Sequence, residues 1–110
     1  MSTAGTTQLL GHMVYFTLHE RTPQNIQALV EACKKYLTGH PGTLFFAAGT
    51  LVPDLDRPVN DRDFDVALHV IFDSRASHDV YQQAPRHLQF IAENKPTWAK
   101  VRVFDADVTC

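Results

Sequence analysis

The order in which strand-like and helix-like patterns alternate constrains this chain more than any other feature of its sequence. Runs rich in β-branched, aromatic and aliphatic residues predict strands at residues 9–18, 42–52, 63–72 and 100–108. Helical periodicity separates the first strand from the second and the third from the fourth. The resulting β-α-β-β-α-β order predicts an α+β, ferredoxin-like antiparallel sheet with the helices on one face.

The first predicted helix has the clearest boundaries. Thr22 suits the N-cap, and Pro23 suits the first helical position, where the missing N–H has no intrahelical partner to lose. Apolar residues then recur at the spacing of one helix face: Ile26, Leu29, Val30, Cys33, Tyr36 and Leu37. Gly39 follows them and fits the left-handed position that often ends a helix.

A proline divides the second predicted helix. Asp73 and Ser74 can cap a helix that runs to about Ala84, and Pro85 then interrupts it. Further helical turns follow as far as Glu93. The sequence therefore predicts two helical pieces with a corner between them.

The second face of the predicted sheet carries fewer polar residues than a face open to water should. Strands one and three present on this face Met13, Tyr15, Thr17, Ala67, His69 and Ile71. We therefore predict that the sheet of a second copy covers it, which gives an isologous homodimer in the form of a dimeric α+β barrel.

Composition limits the classes of binding partner and the cellular compartment that we expect for this chain. The 110 residues carry a formal net charge of −2, so the chain offers no basic surface for nucleic acid or an anionic membrane. No apolar stretch reaches the length of a membrane span, and residues 1–8 lack the features of a signal peptide and predict a disordered tail. The two cysteines do not form a disulfide framework. We expect a cytoplasmic protein with one domain over residues 9–110.

Three residues could carry proton-transfer chemistry. His87 lies three residues into a predicted helix, where the positive dipole end favours a neutral imidazole that can act as a general base. The Tyr81 phenol could donate a hydrogen bond to a developing enolate, and His12 points towards the helices together with Val14 and Phe16. Structural roles remain the alternative: a helix cap for His87, a core aromatic for Tyr81, and a backbone carbonyl partner for His12.

The histidines show no metal-binding spacing. None forms a His-x-His or His-x-x-x-His pair on one element, and we therefore predict no metal site. His12, His78 and His87 could converge in the folded chain, which the sequence alone does not show. The alternative places His19, His40 and His78 in solvent.

The loop before the third strand is acidic but does not match a calcium-binding loop. It lacks the central glycine and the closing glutamate of that motif. Arg57 and Arg62 lie among its aspartates and predict a solvated, internally neutralised segment.

With these residues placed, the chain resembles the stress-responsive α/β-barrel family of small dimeric proteins. The matching segments are residues 11–16, 65–74, 81–90 and 101–105. The resemblance implies a homodimer whose two sheets face each other, and the family name implies a role in the stress response.

The best understood activity in that family is a plant polyketide cyclase, which closes an aromatic ring by aldol condensation without metal or organic cofactor. By resemblance, its acid/base tyrosine and histidine match Tyr81 and His87, and a third pocket histidine matches His12. Ala84 replaces the first histidine of the family's Tyr-x-x-His-Pro-x-His pattern, and Val66 replaces a further histidine of the cyclase. The second change implies a more apolar pocket.

Two functional hypotheses follow. In the first, a cofactor-free, cyclase- or isomerase-like enzyme acts on a small, largely apolar carbonyl compound, with His87 as base, Tyr81 as hydrogen-bond donor and His12 as orienting group. In the second, a non-catalytic dimer binds a small apolar molecule or a stress-related partner. Cofactor-free oxygenase chemistry is a third, resting on fold analogy alone. The predicted pocket lining is Val14, Phe16, Val66 and Leu68.

Overall fold

A computed structural model describes residues 8–110 of the chain, so nearly all of the predicted tail lies outside the described residues. The elements are β1 (Leu9–Leu18), α1 (Pro23–Tyr36), β2 (Thr43–Thr50), β3 (Val66–Phe72), α2 (Arg75–Gln83), α3 (Pro85–Asn94) and β4 (Trp98–Val108). A single 3-10 turn connects α3 to β4. This order confirms the predicted one, with the second helix divided into α2 and α3.

The four strands form one antiparallel sheet in the order β2-β3-β1-β4. The helices lie mainly against β1, β2 and β3, which confirms the ferredoxin-like α+β fold with its helices on one face. Because β4 is an edge strand, its helix-facing side is only partly covered, and Val101 and Val103 remain 37% and 49% exposed there. The space between sheet and helices is therefore open along β4.

Side-chain caps fix the starts of α1 and α2, as the sequence predicts. The Thr22 hydroxyl accepts a hydrogen bond from the backbone N–H of Asn25, and the Ser74 hydroxyl accepts one from Ser77, each at 3.1 Å. These bonds satisfy backbone donors that have no partner within the first helical turn.

Helix ends and strand ends differ from the predictions by a few residues. Gly39 has the expected left-handed backbone, with φ of 75°, but Leu37 is the C-cap of α1, so the glycine is not directly adjacent to it. β2 ends earlier than predicted, because the chain turns at Val52 before Pro53. β4 begins earlier, because Trp98 already pairs with β1 across a bulge.

The core lies between the helices and the sheet. The helix-facing residues of β3 are all buried: Val66, Leu68, Val70 and Phe72. Cys33 of α1 is fully enclosed, and burial raises the pKa of its thiol to about 12. Cys33 therefore contributes as a small apolar side chain.

Two histidines expected in solvent are in fact covered. His40 is buried, with its ring edge-on to that of Tyr81 and its Nε2 donating a hydrogen bond to the Tyr36 carbonyl oxygen at 2.7 Å. The side chain of His78 is also largely covered, at 13% exposure, because it packs against the rings of His12 and Phe72. The prediction for these two residues was wrong, because tertiary packing decided their burial.

Basic residues of β4 neutralise aspartates of the acidic loop that precedes β3. Arg102 of β4 donates to Asp61 at 2.6 Å, and Lys100 of the same strand pairs with Asp63. Within the described residues, no ion pair involves the loop's own arginines, Arg57 and Arg62. The expected internal neutralisation is therefore wrong, and the loop is attached to β4 instead.

The outer face of the sheet carries an aromatic cluster. The ring of Tyr15 lies 5.0 Å from that of Phe64, 6.1 Å from that of His69 and 5.8 Å from that of Phe104. The side chains of Phe104 and Phe45 are 53% and 55% exposed in the isolated chain.

None of the helices within residues 8–110 has the length and apolar character that a membrane span requires.

Candidate functional site

A cavity of about 330 Å³ lies between the sheet and the corner formed by α2 and α3. Most of its wall is apolar and comes from β1, β3, α3 and β4. Its polar lining residues are His12, His78, Tyr81, Gln82, His87 and Asp105. A cavity of this size and composition suits a small organic ligand.

The structure brings the three predicted catalytic residues to this one cavity. His12 extends from β1, Tyr81 from the last turn of α2, and His87 from the first turn of α3. All three are buried. The ring centroids of Tyr81 and His87 are 4.5 Å apart, and those of His12 and Tyr81 are 6.0 Å apart.

The proline corner explains why Tyr81 and His87 face each other. Ala84 takes an extended backbone, with ψ of 139°, because the residue before a proline avoids the helical region. α2 therefore ends just after Tyr81, and Pro85 starts α3 in a new direction. Tyr81 and His87, six residues apart on two successive helices, therefore point towards each other.

Three of the four predicted apolar lining residues border the cavity. Val14, Phe16 and Leu68 line it. Val66 does not, because it is fully enclosed in the core next to Phe16, its cross-strand neighbour, and has no surface left towards the cavity.

Burial leaves His87 neutral and Tyr81 protonated. Desolvation lowers the pKa of His87 below its usual value, and this outweighs the opposing effect of the Gln82 backbone. Desolvation also raises the pKa of the Tyr81 hydroxyl well above its usual value. Among the described residues, neither the Tyr81 hydroxyl nor the Nδ1 atom of His87 has a hydrogen-bond partner. Such buried polar atoms are costly without a partner, so a ligand that bonded to them would stabilise the site.

The ring of Tyr81 is held by its neighbours. His40 lies edge-on to it, with centroids 4.9 Å apart and planes at 89°, and Phe72 lies at 4.9 Å on a tilted plane. The bond from His40 to the Tyr36 carbonyl fixes His40 in turn. The phenol is therefore positioned by packing, while its hydroxyl remains free of protein partners in the described residues.

His12 is held by a carboxylate that the sequence did not indicate. Its Nδ1 donates to Oδ1 of Asp105 at 2.6 Å, instead of to the backbone carbonyl considered for it. The two residues are direct cross-strand partners in the register of β1 and β4. Burial lowers the pKa of His12 more than this hydrogen bond raises it. The β1–β4 register was the signal that could have identified Asp105.

His78 lies at the same site; the sequence indicated only that it could converge with His12 and His87 and assigned it no role. Its ring centroid is 5.2 Å from that of His12. His78, His12 and Asp105 each offer one ligand atom, and these atoms lie within 4.8 Å of one another. Within the described residues, this cluster could hold a metal ion.

A larger groove of about 430 Å³ lies on the outer face of the sheet, between Tyr15, Phe64 and Phe104. It contains none of the three candidate catalytic residues. We assign the functional site to the smaller cavity, because its lining includes the Tyr81 hydroxyl and His87 Nδ1, two titratable polar atoms buried without protein partners in the described residues, whereas in the groove only Arg102 Nε is so placed.

Solved structures with the same fold include proteins from bacteria and from plants. A dimeric ferredoxin-like protein of unknown function from Thermobifida fusca is 20% identical, with 92% of each chain covered and a TM-score of 0.74. A Dabb family protein from Mesorhizobium loti is 21% identical, covering 90% of this chain and 95% of that one, also at 0.74. A hydroxynitrile lyase from Passiflora edulis is 22% identical, with 93% and 94% covered, again at 0.74.

These identities establish the fold and not the reaction. No curated protein matches the sequence. The sequence model of the Dabb family, described as the stress responsive A/B barrel domain, matches residues 10–108 and thus nearly the whole chain. The chain therefore belongs to the stress responsive A/B barrel domain family.

Proposed function

We propose that this protein binds a small, largely apolar carbonyl compound in the cavity and catalyses an acid–base step on it. The observation that carries the proposal is the pairing of Tyr81 with His87. Their rings are 4.5 Å apart, and the polar atom that each buries has no partner in the described residues. Most other lining residues are apolar.

The two side chains have complementary protonation states. A neutral His87 imidazole, with its proton on Nε2, accepts a proton at Nδ1 from the carbon next to the carbonyl group. As that proton leaves, negative charge develops on the carbonyl oxygen, and the protonated Tyr81 hydroxyl donates a hydrogen bond to it. His87 then returns the proton to another atom of the substrate. These transfers complete an isomerase-like step, or a cyclase-like one where the carbanion attacks a second carbonyl.

His12 serves to orient the substrate. The Asp105 carboxylate holds His12 Nδ1 at 2.6 Å, which leaves the other ring nitrogen available to the cavity. The proton transfers described here need no organic cofactor. The hydroxynitrile lyase from Passiflora edulis has the same fold, which supports an enzymatic role for this chain.

We also propose that the outer face of the sheet meets the same face of a second copy. The aromatic cluster around Tyr15 and the exposed rings of Phe45 and Phe104 support a homodimer, as do the dimeric proteins among the structural neighbours. An apolar face of this kind is typically covered in a stable protein.

Proton exchange at carbon tests the proposed reaction most directly. The full chain is incubated in D₂O with small alkyl and aryl ketones and with pentane-2,4-dione, and loss of the α-proton signal is followed by NMR. We expect saturable acceleration by the wild-type protein. His87→Gln should slow it by roughly 10²–10⁴-fold, and Tyr81→Phe should slow it by roughly 10²–10³-fold.

His19→Gln is the matched control, because His19 is exposed and far from the cavity lining. It should leave the exchange rate unchanged, and cooperative thermal melting curves should show that all variants remain folded. Saturable ketone binding without exchange, unaffected by His87→Gln, would contradict catalysis and support the non-catalytic binding protein instead.

A further inference from the structure

We propose that His12, His78 and Asp105 form a binding site for one divalent transition-metal ion, at the open β4 side of the cavity. The metal site shares His12 with the proposed acid–base site, but it does not rest on the acid–base function, because neither Tyr81 nor His87 is a ligand. The members of the cluster come from three different elements: β1, α2 and β4.

The three side chains already converge. Nδ1 of His12 is 2.6 Å from Oδ1 of Asp105, and the ring of His78 is 5.2 Å from that of His12. One ligand atom from each of the three lies within 4.8 Å of the others. Ligand atoms around a tetrahedral ion with bonds of about 2.0–2.2 Å are themselves about 3–4 Å apart. An ion bound here would displace the proton that His12 Nδ1 donates to Asp105, and side-chain rotations would bring the three ligand atoms to this spacing.

His78 is oriented as a ligating histidine usually is. Its Nδ1 donates to the Asp79 carboxylate at 3.0 Å, and its Nε2 lies 3.2 Å from the amide nitrogen of Gln82. The Gln82 amide donates, so Nε2 of His78 carries the lone pair and the proton is on Nδ1. An ion bound at Nε2 would replace the Gln82 amide there. A carboxylate on the distal ring nitrogen fixes the tautomer and the ring orientation of metal-binding histidines. Asp79 supplies that contact here.

The donor set selects the class of ion. Two imidazoles and one carboxylate suit Zn²⁺ and neighbouring first-row divalent ions, whereas Mg²⁺ and Ca²⁺ prefer oxygen ligands. Three protein ligands leave at least one coordination position free. All three ligands line the cavity, so this position would be available to an oxygen atom of a cavity ligand.

Burial of the cluster is graded, which gives an ion a path to it. His12 is buried and His78 is mostly covered, but the Asp105 side chain is 46% exposed on the helix-facing side of edge strand β4. An ion can therefore enter from solvent past Asp105 and reach the two imidazoles.

Metal titration of the tag-free full chain tests the proposal. The protein is stripped with a chelator and dialysed, then titrated with Zn²⁺ by calorimetry and with Co²⁺ by visible absorption. We expect one ion per chain and d–d absorption bands that saturate at one equivalent of Co²⁺. His78→Gln and Asp105→Asn should each weaken Zn²⁺ binding by roughly 100-fold or more. Asp79→Asn should weaken it by roughly 10-fold, because Asp79 only orients His78.

Two further variants distinguish this site from metal binding by surface histidines and from the acid–base pair. His19→Gln removes an exposed histidine outside the cluster and should leave binding unchanged. His87→Gln should abolish the proposed proton exchange while Zn²⁺ still binds with wild-type affinity, so the two proposals fail independently. Absence of a saturating Co²⁺ spectrum, or Zn²⁺ binding that survives both His78→Gln and Asp105→Asn, overturns the metal site.

Discussion

The two faces of the sheet differ in the kind of group that remains without a partner within the chain. On the helix-facing side, buried polar atoms of Tyr81 and His87 lack partners in the described residues, around a cavity with a largely apolar wall. On the outer side, Arg102 pairs with Asp61 and only its Nε atom lacks a partner in the described residues, while what remains exposed is aromatic surface such as Phe104.

This difference indicates two kinds of partner. Buried polar atoms beside an apolar wall are complementary to a small molecule with a polar group and an apolar body. A broad aromatic surface with paired charges at its margin is complementary to another protein surface. One four-stranded sheet can thus serve ligand binding on one side and association on the other.

Phe104→Asp should have the largest effect on this comparison. In a symmetric dimer the change places two unpaired carboxylates in an apolar interface, and each costs several kcal/mol to bury. We expect the dimer dissociation constant to rise by roughly 100-fold or more. Analytical ultracentrifugation over a range of concentrations measures it.

Leu88→Asp is the matched control for that variant. Leu88 of α3 is exposed to a similar degree as Phe104 but belongs to the helical layer. Its replacement should leave the dissociation constant unchanged. If Leu88→Asp dissociates the dimer and Phe104→Asp does not, the outer face of the sheet is not the interface.

The fold could be predicted because its signals are local and repeated. The alternation in β3 and the Thr22–Pro23 start of α1 each specify one element, and the elements in order specify the ferredoxin-like arrangement. The outer face could be recognised for the same reason, since period-two alternation shows both sides of a strand at once.

The site was less accessible to sequence reasoning, because its contacts depend on register and packing. Asp105 lies opposite His12 only once the offset between β1 and β4 is known. His78 and His40 resemble solvent-exposed histidines in sequence, and tertiary contacts with Tyr81, Phe72 and His12 cover them. Tyr81 and His87 could be identified because Pro85, which brings them together, is itself visible in the sequence.

The second-largest expected effect is a pH dependence of folding stability that arises from histidines on the helix-facing side of the sheet. Burial lowers the pKa of both His12 and His87 below the value of about 6.5 that they have in the unfolded chain. Below that pH the unfolded state binds more protons than the folded state. The free energy of unfolding therefore decreases as the pH is lowered, until the pH falls below the folded pKa values. The contribution is fully present at pH values above about 7.5.

Urea unfolding between about pH 7.5 and 5.5 measures this contribution. The double variant His12→Gln/His87→Gln should lose most of the slope in that interval. The carboxylates with lowered pKa, including Asp61, Asp63 and Asp79, act only at lower pH, because their unfolded pKa values are near 4. An unchanged slope in the double variant would show that the two histidines titrate as in the unfolded chain.

The smallest effect is a gain in stability from Tyr81→Phe. The substitution removes a hydroxyl that is buried without a partner in the described residues and keeps the ring that packs against Phe72 and His40. Removing such a group relieves a desolvation cost, so we expect the free energy of unfolding to rise by up to about 1 kcal/mol while proton exchange is lost. Tyr36→Phe is the matched comparison, because the Tyr36 hydroxyl donates to Glu93 at 2.7 Å, and it should reduce stability. If Tyr81→Phe destabilises the protein as Tyr36→Phe does, the Tyr81 hydroxyl has a structural partner, and the inner face does not hold the site proposed for it.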